Sequence, residues 1–313
     1  MPATPDDQLA RRLVLRALGV EATHIRRFPN GLMHYVFEAE FASRPSMVVR
    51  IAAHYGHAAM RGAAQLSRLL HPRGVPLPTI LAANLDPPFP HLVLERLPGT
   101  DLGDVVAGLT PRSLESIAAA VADAQCSTAE AYAPGERYGF AVSPVEAPHP
   151  SWPAMLAAQL DRSRGRIVTA GLYNVSEIDA LSPILTAMQP ELSSIPATPF
   201  LHDTTTKNVI VTAEGKFSGI VDVDDLCFGD PRFVVALTHV ALVTCNQPTI
   251  YTEAWMHQAG FADDRRFRLY VALFLADFMS ERGQRFNGNE GPANRDHDVR
   301  LYRLFHDALA RLR

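Results

Sequence analysis

Cysteine is scarce in this chain, which has three cysteines in 313 residues. Cys126, Cys227 and Cys245 are odd in number, far apart in sequence and without metal-type spacing, so neither a disulfide framework nor a zinc site is expected. Long apolar runs are also missing, because the longest, around 233–243, contains polar residues and is too short to cross a bilayer. The N-terminal residues lack the apolar core of a signal peptide. Together these absences predict a cytoplasmic protein.

An excess of positive charge is absent as well, since the formal net charge is -4. Nucleic-acid-binding proteins usually carry a basic surface that neutralises phosphates, so a nucleic-acid partner is not expected. A composition of 47% hydrophobic and 20% charged residues is that of a folded globular protein. The negative net charge fits small cationic or neutral partners better. A chain of this length favours two lobes with a cleft between them, which is where an enzyme would work.

The pattern of apolar residues changes from strand-like to helical along the chain. Short β-rich runs at 34–41, 47–52 and 91–94 surround one helical run at 58–70, and they predict an antiparallel sheet. Beyond a connector that ends at Gly99, helical periodicity predominates, in segments that begin at Pro111 and continue at 152–170, 176–188, 233–243, 264–282 and 297–312. The predicted fold is therefore α+β and bilobal, with a small antiparallel-β lobe at residues 1–96 and a larger, mostly helical lobe at 97–313.

A β-rich island interrupts the helical half at 200–225. Asp203 lies in a loop before a short apolar strand, and Asn208 stands directly before that strand. After a turn at Gly215, a second strand ends at Asp222. A hairpin loop of about three residues would place Asn208 and Asp222 opposite each other, with Cβ atoms about 5 Å apart.

Such a set of side chains suits phosphoryl transfer, which needs a hard cation on oxygen ligands and a carboxylate that accepts the proton of the attacking hydroxyl. Asp203 is the predicted base, and Asn208 and Asp222 are predicted to hold Mg²⁺, with Asp224 assisting. The alternative is that Asp203 caps a turn and that the later carboxylates form a solvated loop. The whole conjunction, which ends with Gly229-Asp230-Pro231 before a helix, favours the functional interpretation.

Asp203, Asn208, Asp222 and Gly229-Asp230-Pro231 are arranged as in the aminoglycoside phosphotransferase and choline-kinase-like enzymes, and the chain resembles that family from about residue 25 to 242. The resemblance implies a protein-kinase-like fold. It also implies an enzyme that uses ATP and Mg²⁺ to phosphorylate a hydroxyl of a small molecule, such as an aminoglycoside-like antibiotic, an amino alcohol or a sugar.

The same resemblance implies a nucleotide site in the small lobe. Arg50 falls where the family places the basic residue that contacts the α and β phosphates, and Gly31 falls at the turn that covers the phosphates. Glu95 and Leu97 fall at the hinge, whose backbone would pair with adenine. From the residues alone, Arg50 also fits a solvated strand and Gly31 a simple hairpin turn.

Two departures from the family pattern concern the catalytic loop. His202 lies directly before Asp203, where the family usually has one residue between its His and its Asp. Val234 belongs to a hydrophobic stretch that replaces an Asp expected shortly after Pro231. Because these two family residues brace the catalytic loop, we expect a loop that is held differently.

A third departure concerns the helix of the small lobe, where Gly62 and Ala63 replace a Glu that would pair with Arg50. Arg50 is therefore expected to be less well oriented, which puts the catalytic rate in doubt more than nucleotide binding. A second hypothesis follows from these departures: a nucleotide-binding regulatory module with little turnover.

A third hypothesis is a metal-dependent hydrolase built on His202 and the carboxylates of the island, although no second His has ligand-like spacing. If the chain is a kinase, the acceptor is expected in the helical lobe. Asp277 and Glu281 share one face of a predicted helix and would suit a cationic acceptor, while an exposed acidic face is the alternative.

Overall fold

The structure is a computed structural model that describes residues 4–28, 34–52, 56–284 and 295–312. Gly31 lies outside the described residues. The N-terminal part is a five-stranded antiparallel sheet in the order β1-β2-β3-β5-β4, with one helix before its first strand and a second helix between β3 and β4 in sequence. Its elements are α1 (Asp7–Leu18), β1 (His24–Arg27), β2 (His34–Glu40), β3 (Met47–Ala52), α2 (His57–Leu70), β4 (Ile80–Asn84) and β5 (His91–Glu95).

The two faces of strand β3 have different surroundings: one packs into a hydrophobic core, and the other lines a cavity. Val49 and Ile51 are fully buried in a cluster with residues of α1, whereas Arg50 lines the cavity. This alternation arises because successive side chains of a strand point to opposite sides of the sheet. Arg50 lies opposite Val36 of β2 and Leu92 of β5, and both of these side chains line the same cavity.

The C-terminal part is mostly helical, with two small sheets of three strands each, in the orders β10-β9-β6 and β7-β11-β8. Helices α4, α5, α8, α9 and α10 surround its hydrophobic core. Its elements are β6 (Thr100–Asp101), α3 (Leu102–Val105), α4 (Pro111–Ala129), β7 (Gly139–Ala141), α5 (Trp152–Ala170), α6 (Val175–Asp179), α7 (Leu181–Ser193), β8 (Thr198–Phe200), β9 (Val209–Val211), β10 (Phe217–Ile220), β11 (Leu226–Gly229), α8 (Arg232–Thr244), α9 (Ile250–Gln258), α10 (Arg265–Glu281) and α11 (Arg295–Ala310).

Helix ends in this part follow local sequence signals. The side chains of Thr110 and Ser151 cap α4 and α5, where each accepts a hydrogen bond from the backbone three residues on, at 3.1 and 3.3 Å. Pro111 occupies the first turn of α4, as predicted. Helix α5 has the predicted bounds and ends before Gly171, whose φ of 65° permits a left-handed cap. The run predicted at 176–188 is divided between α6 and α7.

The predicted hairpin of the island is present as β9 and β10, but its register differs from the prediction. A bulge between Phe217 and Gly219 shifts the pairing by one residue. The backbone N–H of Val221 consequently donates to the carbonyl of Asn208 at 2.9 Å, so Asp222 lies one position beyond the residue opposite Asn208. The predicted cross-strand pair of Asn208 and Asp222 is therefore wrong by one residue.

The antiparallel N-terminal sheet and the helical C-terminal part confirm the predicted α+β fold class. The sheet ends at Glu95, beside the predicted lobe boundary at 96/97, which stays a prediction. All three cysteines are free of disulfides. Among the described residues, no helix combines the length and the apolar character needed to span a membrane.

Candidate active site

A cavity of about 330 Å³ lies between the N-terminal sheet and the strands that follow Asp203. Its walls are largely apolar and include Val36, Val48, Leu77, Leu92 and Ile220. Five of the residues predicted for the site line this one cavity: Arg50, Glu95, Leu97, Asn208 and Asp222. The fold thus brings predicted residues of the N-terminal sheet and of the hairpin together around one cavity.

Asp203 borders a smaller cavity next to the large one. Asp222, Ile220 and Val223 line both cavities, so Asp203 lies directly beyond the wall of the larger space. Asp222 has a φ of 64°, a left-handed conformation that a residue with a side chain rarely adopts. Such a backbone persists where surrounding contacts fix it, and it often occurs at functional sites.

Arg50 is held by two carboxylates of the segment that follows the hairpin. Its side chain is buried, with 6% of the residue exposed. Its Nη2 lies 2.5 Å from Oδ1 of Asp222 and donates to Oδ2 of Asp224 at 2.7 Å. Its Nη1 lies 2.6 Å from Oδ1 of Asp224, close enough for charge attraction. The expectation that Arg50 is less well oriented is therefore wrong.

Asp224 is not open to a ligand in this arrangement. In addition to its contacts with Arg50, its Oδ2 lies 3.1 Å from Nε2 of the buried His34. Burial opposes the ionisation of Asp224, but the His34 hydrogen bond and the Arg50 charge outweigh it and hold the pKa of Asp224 below its ordinary value. The carboxylate is thus ionised at neutral pH and engaged by Arg50 and His34.

Gly62 explains why the helix of the N-terminal part lacks an acidic partner for Arg50. A Cβ on Gly62 would lie 2.3 Å from the backbone oxygen of Asp224 and 2.9 Å from Cγ2 of Val142. Helix α2 therefore packs directly against the segment that carries Asp224, and a side chain larger than that of glycine does not fit at this position. The carboxylate missing from α2 is supplied by Asp224, a compensation that the local sequence around Gly62 does not reveal.

The loop from Asp203 to Asn208 is closed by the Asn208 side chain, whose Nδ2 donates to the backbone oxygen of Asp203 at 2.8 Å. This bond leaves the side-chain oxygen of Asn208 available for another partner. His202, directly before Asp203, forms a hydrogen bond with Asp225 and packs its ring edge-on against Phe140, with 4.7 Å between ring centroids. His202 therefore binds the segment after the hairpin through Asp225.

The pKa of Asp203 lies above its ordinary value. Burial is the main cause, and the negative charge of Asp222 acts in the same direction. The charge of His202 and hydrogen bonds from Asn208 and Thr205 favour the ionised form but do not reverse the shift. A carboxylate with a raised pKa is a better proton acceptor than a free aspartate.

Gly229-Asp230-Pro231 packs against the helical core. The buried carboxylate of Asp230 accepts a hydrogen bond from the hydroxyl of Tyr270 at 2.9 Å, and that hydroxyl accepts one from Nε1 of Trp152 at 2.9 Å. A Cβ on Gly229 would lie 2.2 Å from the Trp152 ring. Trp152 thus belongs to the core. No sequence signal near the motif identifies Tyr270 as the partner of Asp230.

The acidic pair of α10 is divided between two environments. Asp277 is buried, accepts a hydrogen bond from Ser163 at 2.9 Å and lies 3.3 Å from Arg162. Arg166 approaches it to 3.7 Å. Glu281 is half-buried, and burial followed by the charge of Asp277 raises its pKa. The pair therefore does not form an exposed acidic face.

Among the described residues, no group of three or more His, Cys, Asp or Glu side chains is arranged as a metal site. The hydrolase hypothesis needs such a group, and the structure gives it no support. Asn208 and Asp222 remain as neighbouring oxygen donors on one cavity.

The family of the chain follows from comparison with known proteins. The sequence model of the phosphotransferase enzyme family matches residues 24–270. The chain therefore belongs to this family, which confirms the predicted resemblance and the predicted enzyme class, a small-molecule kinase. Comparison with curated proteins gives no significant match.

Solved structures share the fold at low sequence identity. A thermostable mutant of aminoglycoside phosphotransferase APH(4)-Ia, in complex with AMP-PNP and hygromycin B, has a TM-score of 0.67 and 16% identity, covering 96% of this chain and 97% of its own. A protein from Thermobifida fusca assigned as a fructosamine-3-kinase has a TM-score of 0.64 and 17% identity, covering 98% and 100%. A mutant aminoglycoside 2'-phosphotransferase-IIIa with GDP has a TM-score of 0.65 and 15% identity, covering 98% of each chain. These likenesses confirm the protein-kinase-like fold.

The packing of α2 predicts a penalty for the smallest side chain at position 62. Gly62→Ala should lower the free energy of unfolding by about 1–3 kcal/mol, because its Cβ would force apart α2 and the segment that carries Asp224. Gly165→Ala is the matched control, since Gly165 is also inside a helix and a Cβ there meets nothing within 4 Å. The control should gain about 0.5–1 kcal/mol. Urea unfolding measures both, and a Gly62→Ala protein as stable as the wild type would contradict this packing.

The ion pairs of Arg50 predict that Asp224 stabilises the fold. Asp224→Asn should lower the free energy of unfolding by about 1–3 kcal/mol in metal-free buffer at neutral pH, because it removes a charged partner from a buried guanidinium. Asp263→Asn, which removes a carboxylate from an exposed pair with Arg268, should cost less than about 1 kcal/mol. Equal losses in the two variants would show that the Arg50 pair has no special weight.

Proposed function

We propose that this chain transfers the γ-phosphoryl group of ATP to a hydroxyl of a small molecule, with Asp203 as the base. One observation carries the proposal: Asp222 lines both the large cavity and the small cavity that Asp203 borders. A nucleotide in the large cavity would therefore end beside the carboxylate that activates the acceptor. Asp203, with its raised pKa, suits that role.

The large cavity suits a nucleotide base. Its apolar walls offer a slot for a purine, and the segment of Glu95 and Leu97 runs along its edge. The side chain of Glu95 accepts a hydrogen bond from the Thr79 hydroxyl at 2.8 Å, and its backbone N–H donates to the Thr79 carbonyl at 2.9 Å. The Glu95 carbonyl is proposed to receive the amino group of adenine. Among the similar structures, one holds AMP-PNP and another holds GDP.

The residues present fit Mg²⁺. Asn208 and Asp222 place an amide oxygen and a carboxylate on one cavity, and Mg²⁺ usually takes one or two protein carboxylates together with waters and phosphate oxygens. When bound, Mg²⁺ would neutralise charge on the transferred phosphoryl group. Asp224 stays a proposed additional ligand, although it would have to leave Arg50 to act as one.

Arg50 is proposed to contact the α and β phosphates, and Gly31 to belong to the turn that covers them. The guanidinium already lies on the cavity wall, where its planar fork can hold phosphate oxygens. Phosphates would compete with Asp222 for Nη2 of Arg50. Asp222 would thereby be released toward the cation site it shares with Asn208.

The acceptor is proposed to be a small hydroxylated molecule that enters from the helical part, residues 97–313 of the proposed two-lobe division. The charge of Asp277 is largely offset by Arg162 and Arg166, so Asp277 is poorly suited to bind a cation. Glu281 is the better candidate for an amine of a cationic acceptor. Hygromycin B in one similar structure supports including aminoglycosides among the acceptors tested.

An acceptor screen tests the proposal. MgATP is offered with aminoglycosides including hygromycin B, fructosamines, amino alcohols and sugars, and phosphorylated products are identified by mass. Asp203→Asn should lower kcat by about 10²–10⁴-fold with nearly unchanged ATP affinity, because it removes the base and leaves the nucleotide cavity intact. Asp123→Asn, at an exposed position of α4, is the control and should retain wild-type kcat.

Three results would contradict parts of the proposal. Wild-type kcat in Asp203→Asn would remove the base assignment. A turnover rate that stays unchanged after a chelator removes magnesium would contradict the metal site proposed at Asn208 and Asp222. Tight ATP binding without turnover on any acceptor would favour the nucleotide-binding regulatory module.

A further inference from the structure

The catalytic loop is held on both sides of Asp203 by one buried amide. Gln125 lies on α4, in the helical core, and only 8% of it is exposed. It is separated from Leu201 by 76 residues in sequence, yet it is the side chain that contacts the backbone at the start of the loop.

Each polar atom of the Gln125 side chain has a partner in the loop. Its Oε1 accepts a hydrogen bond from the backbone N–H of Leu201 at 2.9 Å. Its Nε2 donates to the carbonyl of Leu201 at 2.9 Å and to the hydroxyl of Thr204 at 2.8 Å. The Thr204 hydroxyl donates in turn to the Leu201 carbonyl at 2.7 Å. Asp203 lies between these two points of attachment.

The far side of the loop rests on α8. The hydroxyl of Thr238 donates to the carbonyl of Val234 at 3.0 Å and lies 3.5 Å from the carbonyl of Thr204. Thr204 and Thr238 are both fully buried. Thr238 is one helical turn beyond Val234. Val234 itself belongs to the stretch where the family resemblance implies an acidic residue.

Only an amide can make this set of bonds without carrying a charge. It accepts and donates at the same time, so it binds both polar groups of one backbone residue. A buried network in which every member is satisfied is rigid, and a shift of about 1 Å in a catalytic group can lower the rate by about 10²-fold.

We propose that Gln125 is a positioning residue for Asp203, which it serves by fixing the backbone of Leu201 and the hydroxyl of Thr204. The neutral network stands in place of the charged His and Asp that the family resemblance implies at positions near 201 and 234. The inference rests on the proposed role of Asp203 as base, and it adds the residue that keeps this base in place.

Gln125→Met tests the proposal by keeping the length of the side chain and removing all three hydrogen bonds. We expect kcat for MgATP turnover, with water or with an acceptor found in the screen, to fall by about 10–100-fold. The KM for ATP should stay within about twofold, because Gln125 does not line the nucleotide cavity. Unchanged kcat would overturn the proposal.

Gln159→Met is the matched control. Gln159 is a second buried glutamine, on α5, and 5% of it is exposed. Within the described part of the chain, its Oε1 has no hydrogen-bond partner. The control should keep wild-type kcat, and an equal loss in both variants would show a general effect of core substitution and would overturn the positioning role.

Gln125→Glu gives a second readout through pH. When its carboxyl is protonated, it can accept from Leu201 and donate to one loop oxygen, whereas the carboxylate would face the Leu201 carbonyl and the Thr204 oxygen with like charge. The ratio of variant kcat to wild-type kcat should therefore rise as pH falls. A ratio that does not change with pH would overturn the proposal.

Hydrogen exchange separates this inference from the proposed function. In Gln125→Met, the backbone amide of Leu201 loses its acceptor, so a peptide covering 200–204 should exchange faster than in the wild type. This measurement needs no turnover. An inactive wild type would overturn the kinase proposal, whereas unchanged exchange at this peptide would overturn the role of Gln125, whatever the activity.

Discussion

The paired charges of Arg50, Asp222 and Asp224 are the constraint on which the site depends. A guanidinium buried on the face of a sheet requires carboxylate partners, and both come from the segment after the hairpin. The contact joins β3 to a segment 174 residues further along the chain. Helix α2 lies so close to the same segment that a Cβ at position 62 would meet the backbone oxygen of Asp224.

Under the proposed function, the same charges favour a nucleotide that binds together with a cation. Asp203, Asp222 and Asp224 carry three carboxylates around one arginine, so the region is negative before a nucleotide binds. An anionic triphosphate enters such a region more readily together with a divalent cation, and Asn208 and Asp222 offer oxygen ligands for one. The left-handed backbone at Asp222 keeps its carboxylate on the cavity wall, between Arg50 and the side of the small cavity that Asp203 borders.

Local patterns in the sequence were sufficient for much of the fold. The strands at 34–41 and 47–52, and helix α5 with both of its ends, follow from alternation, helical periodicity, a serine cap and a terminal glycine. Helix α1 is absent from the sequence predictions, although Asp6 caps it and Gly19 ends it. The register of the hairpin was wrong by one residue because a bulge cannot be read from the alternation of only three or four residues per strand.

Contacts between distant residues account for what the sequence could not reveal at the site. Arg50 is paired with Asp224, and Asp230 with Tyr270. The backbone of Leu201 is held by Gln125. Each partner is far away in the chain. Nothing at positions 50, 230 or 201 indicates these partners, since hydrogen bonds between elements depend on how the elements pack.

The departures from the family pattern gain a different meaning once these contacts are known. Read along the chain, the glycine at position 62 and the apolar residues at positions 201 and 234 suggest a site that has lost its support. In space, the acid absent from α2 is replaced by Asp224, and the charged brace of the loop is replaced by Gln125, Thr204 and Thr238. Buried polar groups that have partners stabilise the fold whether or not the site turns over, so these contacts show that Arg50 and the Asp203 loop keep their support by other residues. The departures along the chain are therefore no sign of a site without support, which agrees with the small-molecule kinase family to which the chain belongs.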